Sequence, residues 1–338
     1  MRFFTHLVTR PCPPLLLSMA SPDQHLQFVT LDVFTQHRYA GNPLAVVRVP
    51  ASVVLTQGQK QLIAREFNYS ETVILHESGE SYRQKEWTID IFLTTAEITL
   101  AGHPVIGTVC YLGQALGASA ASGTISGTLK TKAGKVPFTY DAGSKRAEVE
   151  IPHDVHVHPK TLTANEAIQH GIPEEVHQSL KRPAPVVSIV KGMTFCLVEL
   201  PSLEALAKLR PNLKDLSTDG LDREYHPTGV VGFFFYVKQG TTTSGIQKLR
   251  TRMIEGSQED PATGSASSAL AAYLAFYADP TPDSAQKVHK FELTQGVEMG
   301  RESVIVLEVS GRSASQIEKV KLSGNSIHVM EGSLVVPV

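Results

Sequence analysis

The chain has 338 residues, of which 42% are hydrophobic and 19% charged, and its formal net charge is -2. This composition argues against extensive disorder, and the small charge gives no reason to expect a nucleic acid or another polyanion as a partner. Cys12, Cys110 and Cys196 are too few and too scattered for a disulfide framework or a zinc ribbon. No apolar run is long enough to cross a bilayer, so the sequence predicts a soluble, cytoplasmic protein without a membrane partner.

Residues 1–26 are predicted to be a disordered extension or a weak targeting segment. No acidic residue precedes Asp23, and Arg2 and Arg10 allow a mitochondrial-type signal as the alternative. The arginines are sparse and the leucine run at 15–17 is too short for a secretory core, which favours the disordered extension.

The folded part is predicted to be rich in strands and poor in helices. Thr56 and Gln59 form a capping-box pattern that starts a helix. Alternation and apolar runs predict strands at 27–34, 44–49, 71–75, within 87–100, and at 147–151, 230–237, 249–254, 290–296, 303–309, 317–323 and 328–336. Short helices are predicted at 164–170, 174–180 and 203–209. Alternating βαβ units are missing, so a doubly wound nucleotide-binding fold is disfavoured.

Two helices of small residues are the strongest signal in the chain. One opens at 101–108 and the other at 260–270, each after β structure and each through a polar residue followed by proline. Asp260 is predicted to be the N-cap of the second helix, with Pro261 in its first turn. Neither helix has a polar face, so both must be buried on all sides. We expect two similar domains whose helix N-termini face a shared cleft.

Several polar residues near these helix starts could carry chemistry. Glu71 follows a helix break, and its position allows two interpretations. Its side chain could be solvated. If it instead faces a dry cleft, burial would raise its pKa and make it a general acid or base. His103 could cap its helix, or donate an N–H to a substrate carboxylate or relay a proton. Asp260 could be a helix cap, and Ser265 could be a small residue that lets the helix pack closely.

Two glycines and one histidine-rich segment complete the candidates. Gly102 and Gly264 would let a ligand approach the backbone at the helix starts. If 153–158 is a strand, Asp154, His156 and His158 share a face and could bind a transition metal. An exposed polar strand end is the favoured interpretation, so no metal site is predicted.

Six motifs in a fixed order resemble those of the PhzF family of phenazine-biosynthesis-like proteins, over a stretch from about residue 27 to the C-terminus. They are DVF at 32–34, GNPLAV at 41–46, NYSET at 68–72, AGHP at 101–104, DPATGSA at 260–266 and QGVEMGR at 295–301.

The resemblance implies an α+β, diaminopimelate epimerase-like fold: two similar β-barrel-like domains, each wrapped around a central helix. The domains are expected at 27–135, completed by a C-terminal strand at 328–338, and at 136–327. The resemblance also implies a homodimer without cofactor or metal. By motif position, Glu71 matches the catalytic glutamate, and the substrate-binding set is Gly102, His103, Asp260, Gly264 and Ser265.

The hypothesis from the sequence is an isomerase that moves a proton on a small carboxylate-bearing substrate, with Glu71 as general acid and base. The alternative is a metabolite-binding protein that keeps the cleft without turnover. Thiol-based epimerisation is disfavoured because no cysteine lies at a helix start. Substrate identity is left open by departures from the family pattern: FLT at 92–94 ahead of Glu97, and a longer segment at 159–183.

Overall fold

A computed structural model describes residues 18–19, 24–117, 123–178, 180, 182–225, 232–278 and 287–338. Most of the extension predicted at 1–26, and parts of the segments predicted at 174–180 and 230–237, lie outside the described residues. Within the described ranges, no helix combines the length and apolar character that a membrane span requires.

The secondary structure of the described residues is dominated by strands. The helices are α1 Gln57–Phe67, α2 Gly79–Gln84, α3 Gly102–Gly117, α4 Ala164–Gln169, α5 Glu174–His177, α6 Leu203–Lys208 and α7 Gly264–Phe276, with a 3-10 turn at Val297–Met299. The strands are β1 Ser18–Met19, β2 His25–Val33, β3 Asn42–Pro50, β4 Val53–Val54, β5 Thr72–Glu77, β6 Glu86–Phe92, β7 Glu97–Ile98, β8 Thr124–Thr131, β9 Gly134–Asp141, β10 Arg146–Glu150, β11 His156–Leu162, β12 Ala184–Val190, β13 Met193–Glu199, β14 Gly232–Thr241, β15 Ile246–Glu255, β16 Gln258–Asp260, β17 Lys287–Gln295, β18 Ser303–Gly311 and β19 Ile317–Val335.

The N-terminal strands close into a barrel around α3. The ladder runs from β2 through β3, β5, β6, β8, β9 and β10 to β19, which pairs back with β2. The helix contacts most of these strands, and the residues at 103–110 are all buried. The prediction of a helix buried on all sides is confirmed for 103–110, whereas the last turn is only partly buried and Ala115 is exposed.

A second sheet curves around α7. Its ladder runs β11, β12, β13, β14, β15, β17, β18 and β19, and α7 contacts β12, β13, β17, β18 and β19. Ten of the thirteen residues of α7 are buried. The two sheets share β19, so one strand joins the two helix-centred units into an α+β fold.

Strand β19 differs from its prediction as two separate strands at 317–323 and 328–336. It is one strand of 19 residues, in which Gly324, Asn325 and Ser326 continue the ladder instead of turning. A side chain at Gly324 would meet the ring of Phe34 at 2.4 Å, and Asn325 Nδ2 donates to the backbone carbonyls of Ser144 and Lys145. Polar residues that resemble a turn are therefore held in the strand by tertiary contacts.

The capping box at α1 is confirmed. The side chain of Thr56 accepts from the backbone N–H of Gln59, and the side chain of Gln59 accepts from the backbone N–H of Thr56. This motif was predictable because both partners lie within one turn.

Candidate active site

The starts of the two buried helices touch each other. A Cβ built on Gly102 would lie 3.2 Å from the Cα of Gly264, and one built on Gly264 would lie 3.2 Å from the Cα of Gly102. The side chain of Leu322 packs against both glycines and would lie 2.9 Å from a Cβ on Gly102 and 3.1 Å from a Cβ on Gly264. Only glycine fits here without displacement, so backbone meets backbone at the helix starts. The predicted meeting of two helix N-termini is present in the fold.

The start of α7 corrects the prediction that Asp260 caps the helix and that Pro261 lies in its first turn. The helix begins at Gly264 with Thr263 as N-cap. Asp260 instead ends β16, and its side chain accepts from the hydroxyl of Thr263 and the backbone N–H of Ala262. Because these contacts close a turn before the helix, the carboxylate of Asp260 does not cap the N–H groups of the helix.

The first amides of α7 carry no hydrogen bond from within the helix. The first intrahelical bond runs from the N–H of Ser267 to the carbonyl of Thr263. The N–H groups of Gly264, Ser265 and Ala266 precede it, which is the general condition of a helix N-terminus. Together with the helix dipole, such groups favour a negatively charged ligand. Ser265 is the second residue of the helix and half-buried.

Strand β16 is anchored from its other face by a buried ion pair. Arg252 and Glu259 are 3% and 7% exposed and form two bonds of 2.7 Å. Arg252 also donates to the backbone carbonyls of Leu206 and Leu209. Because successive strand residues point to opposite faces, anchoring Glu259 behind the strand directs Asp260 to the front.

Glu71 lies at the other side of the contact, directly before β5. Its side chain is 16% exposed, and its Oε2 is 3.4 Å from His103 Nδ1. Burial raises the pKa of Glu71 to about 6, while a hydrogen bond from Ser70 opposes that shift. A carboxyl group with this pKa exists in both protonation states near neutrality, as a general acid and base requires.

His103 is the second residue of α3 and its side chain is 4% exposed. The backbone carbonyl of Pro43 accepts a hydrogen bond from its ring, and the buried Nε2 has no partner among the described residues. The bond to Pro43 therefore uses Nδ1, which leaves a lone pair on Nε2. Burial lowers the pKa of His103 to about 4, so the ring is neutral at pH 7.

Asp260 is electrostatically coupled to both of these residues. Burial and then the charge of Glu71 raise the pKa of Asp260 to about 6, while its bond from Thr263 and the nearby His103 oppose the shift. Asn42 Nδ2 donates to Asp260 Oδ1 at 2.8 Å. The structure thus brings Glu71, His103 and Asp260 to the place where Gly102 meets Gly264.

Three residues of this site carried no predicted role: Asn42, Thr263 and Gln295. All are buried, and all bond to Asp260 or to its turn. Each belongs to one of the six motifs, but the residues GNP at 41–43 are typical of a turn. Instead, β3 begins at Asn42. The available signal was a polar residue at the start of an otherwise apolar strand.

The histidine-rich segment forms a separate cluster. His156, His158 and Asp222 place potential ligand atoms within 4.8 Å of one another, whereas Asp154 precedes the strand. The Nδ1 of His158 accepts the backbone N–H of Asp222, and its Nε2 is 2.9 Å from the hydroxyl of Ser188. Because both ring nitrogens are engaged, the cluster is better suited to hydrogen bonding than to metal coordination.

Comparison with known proteins identifies the family. The family model described as phenazine biosynthesis-like protein matches residues 31–332. An uncharacterised isomerase of Mesorhizobium japonicum is 29% identical over 325 residues, covering 93% of this chain and 100% of the relative. The trans-2,3-dihydro-3-hydroxyanthranilate isomerase of Pseudomonas chlororaphis is 28% identical over 319 residues, covering 91% and 99%.

Solved structures agree with this placement. A Bacillus anthracis phenazine biosynthesis protein of the PhzF family superposes with a TM-score of 0.70 at 20% identity, covering 93% of this chain and 100% of that one. The predicted epimerase-like architecture is confirmed by such neighbours and by the two helix-centred units described above. On this evidence of sequence and fold, the chain belongs to the PhzF family of phenazine biosynthesis-like proteins and is an isomerase of that family.

Proposed function

We propose that the chain isomerises a small carboxylate-bearing substrate by moving a proton within the cleft between the two helix starts. The observation that carries this proposal is the joint position of Glu71 and His103 at the contact of Gly102 with Gly264. An acid–base carboxyl, a neutral imidazole and two helix N-termini meet there, which is the set of groups that proton transfer on an anionic substrate requires.

The helix starts would bind the carboxylate of the substrate. Gly102 and Gly264 keep the backbone accessible, and the amides at 264–266 lie outside the intrahelical bonds. Ser265, at the second position of α7, can add a hydroxyl donor. Negative charge that spreads toward this carboxylate in the transition state is stabilised by the same donors.

Glu71 would carry the proton. Its carboxylate forms an O–H bond with a proton of the substrate, the C–H bond breaks, and the electron pair enters the adjoining π system. A new C–H bond then forms at another carbon with the proton from Glu71, so atoms and charge balance without an oxidant. The pKa of about 6 suits both halves of this cycle.

His103 and Asp260 would orient the substrate as hydrogen-bond acceptors. With its Nδ1 proton directed to Pro43, His103 offers a lone pair at Nε2. Asp260 is a carboxylate acceptor on the opposite side. Both favour a substrate that has an O–H or N–H group near the reacting carbons, in addition to its carboxylate.

The relatives suggest the first compound to assay. Trans-2,3-dihydro-3-hydroxyanthranilate is the compound named for relatives 28% and 29% identical to this chain. Binding of that compound and of a panel of hydroxy and amino carboxylates is measured by thermal shift, and each mixture is then analysed for product. We expect at least one compound both to stabilise the protein and to be isomerised.

The second hypothesis is a binding protein that keeps this cleft without turnover. A compound that stabilises the protein but is never converted would favour that hypothesis over the first.

The role of Glu71 is tested with the Glu71→Gln variant. Its matched control is Glu66→Gln, which changes an exposed glutamate five positions before Glu71. Conversion that is equal in both variants would contradict the role of Glu71.

The domain limits and the assembly are also proposals. The sequence predicts domains at 27–135, completed by 328–338, and at 136–327. The pairing of β19 with β2 supports the C-terminal completion. Because β9 and β10 belong to the first barrel, we propose that the limit between the domains lies after Glu150 instead of at 135–136. From the family resemblance we also propose a cytoplasmic homodimer that uses no cofactor. Light scattering on the purified chain tests the dimer.

A further inference from the structure

The two carboxyl groups of the cleft differ in how their hydrogen bonds are fixed. The pKa of Glu71 and that of Asp260 are both raised to about 6, for Glu71 by burial and for Asp260 by burial and the charge of Glu71, so these values do not rank the two groups. The number of donors and how firmly each donor is fixed can decide which group takes up a proton, because donors favour an ionised carboxylate.

The amide of Gln295 can adopt only one orientation. Its Oε1 accepts the backbone N–H of Thr263 at 3.2 Å, and its Nε2 donates to the backbone carbonyl of Asp260 at 2.8 Å. A flipped amide would set an NH₂ group against an N–H, and an oxygen against a carbonyl. Gln295 is fully buried, so water does not provide an alternative partner.

This orientation fixes the hydroxyl of Thr263. The same Nε2 of Gln295 donates to Thr263 Oγ1 at 3.0 Å, so the hydroxyl is already an acceptor on that side. Its own proton points to Asp260 Oδ2, 2.6 Å away. The backbone of the turn therefore determines, through Gln295, that Asp260 Oδ2 receives a hydrogen bond.

Asn42 has the same effect on the other oxygen of Asp260. Its Nδ2 lies 3.1 Å from the carbonyl of Ala262, which can only accept, so the amide orientation is fixed there as well. Asp260 Oδ1 then accepts from Asn42 at 2.8 Å and from the N–H of Ala262 at 3.3 Å. Asp260 faces three donors, and the acceptor position left open lies on Oδ2.

Glu71 is held by fewer groups. Its carboxylate receives a hydrogen bond from Ser70 and lies 3.4 Å from His103, whose Nδ1 proton is shared with the carbonyl of Pro43. The charged and titratable groups coupled to Asp260 are Glu71 and His103, and the latter is neutral at pH 7.

We propose that Gln295 is a positioning residue which, acting through Thr263, keeps Asp260 a hydrogen-bond acceptor and so leaves the transferred proton on Glu71. In catalysis, Asp260 then remains a carboxylate that accepts from the substrate while Glu71 alone is protonated and deprotonated. The catalytic meaning of this assignment rests on the proposed function, but the assignment itself concerns the protein without substrate.

The experiment is a carboxyl titration by NMR on the full chain, labelled with ¹³C at the aspartate Cγ and the glutamate Cδ. The two signals are assigned by their loss in Asp260→Asn and Glu71→Gln. In the wild type we expect Asp260 to ionise at lower pH than Glu71. In Gln295→Met and in Thr263→Val, we expect the acid dissociation constant of Asp260 to fall at least tenfold.

Two further variants separate this role from a general loss of structure. Thr263→Ser keeps the hydroxyl and should retain the titration of the wild type. Gln61→Met removes a side chain that donates to the carbonyl of Leu93, and it should leave Asp260 unchanged. If Gln295→Met does not fold, Thr263→Val and the order of ionisation in the wild type still decide the outcome.

Asp260 ionising after Glu71, or titrating unchanged in Thr263→Val, would overturn the proposal. No substrate is needed, so the result is distinct from the fate of the proposed function. A protein without turnover can still show the expected titration, and an active isomerase can show the opposite order.

Discussion

The starts of α7 and α3 meet at one site but are built differently. At α7, Asp260 accepts from three donors, and its partners Asn42 and Gln295 are each fixed by backbone groups. At α3, His103 has a buried Nε2 without a partner among the described residues, and Glu71 has Ser70 as a donor and lies 3.4 Å from His103 Nδ1. This difference favours the proposal that Asp260, on the α7 side, stays a hydrogen-bond acceptor while Glu71, on the α3 side, exchanges the proton.

The contact between the two helix starts should be the most sensitive feature. Gly102→Ala and Gly264→Ala each place a Cβ at 2.9–3.2 Å from Leu322 and the facing glycine, and we expect each to lower the free energy of unfolding by about 1–3 kcal/mol. Turnover should fall about 100-fold, because a small displacement misplaces the reacting groups. Urea unfolding and initial rates measure the two effects.

The control is Gly58→Ala in α1. A Cβ at Gly58 meets only Thr56 Oγ1 at 4.0 Å, and alanine is the better helix former, so we expect unchanged or increased stability. If the two cleft variants cost no more than this control, the helix starts are not in contact and the comparison fails.

The stability of the protein should change differently when each of the two carboxyl groups is replaced by its isosteric amide, in Glu71→Gln and in Asp260→Asn. The pKa of Glu71 is raised from 4.5 to about 6, so its ionisation disfavours the folded state, and the penalty grows from about pH 4.5 and is complete above pH 6. Glu71→Gln should remove that penalty and increase stability above pH 6 by roughly 2 kcal/mol, with no gain below pH 4.5.

Asp260→Asn should be less favourable than Glu71→Gln. Its new NH₂ group would face the hydroxyl proton of Thr263, which Gln295 prevents from turning. We expect Asp260→Asn to be less stable than Glu71→Gln at pH 8 by about 1–3 kcal/mol, the cost of one mismatched buried donor. Equal stabilities in urea at that pH would show that the two carboxyl groups are not held differently.

Ser70→Ala should have the smallest effect. The single hydroxyl proton of Ser70 is shared between Asn42 Oδ1, at a long 3.4 Å, and the carboxylate of Glu71, whose pKa it lowers. Removing the hydroxyl should therefore raise the pKa of Glu71 while costing about 1 kcal/mol of stability or less. Carboxyl titration by NMR and urea unfolding test this, and an unchanged pKa of Glu71 would remove Ser70 from the site.

Local patterns predicted the parts of the fold that depend on neighbours in sequence. The capping box of Thr56 and Gln59 is complete within one turn, and the small residues of α3 and α7 require burial wherever the helices lie. The six motifs gave the family because their order is preserved along the chain. The architecture could therefore be predicted from the composition of the two helices and the order of the motifs.

The arrangement around Asp260 could not be predicted in the same way. Asn42 and Asp260 are separated by 218 positions, and their hydrogen bond exists only because β3 and β16 are brought together. The predicted N-cap failed for the same reason, since local preference allowed Asp260 to cap α7 while Asn42, Thr263 and Ala262 compete for its oxygens. In β19, tertiary contacts likewise overrode the polar residues at 324–326.

The most direct test of the central claim is solvent-deuterium incorporation into a substrate identified by the binding and product screen. The wild type and Glu66→Gln should incorporate deuterium from D₂O at the same rate, because Glu66 is exposed. Glu71→Gln should lose about 10²–10⁴-fold in rate while keeping its fold, as expected for the loss of a general acid and base. Undiminished incorporation by a folded Glu71→Gln variant would contradict the account.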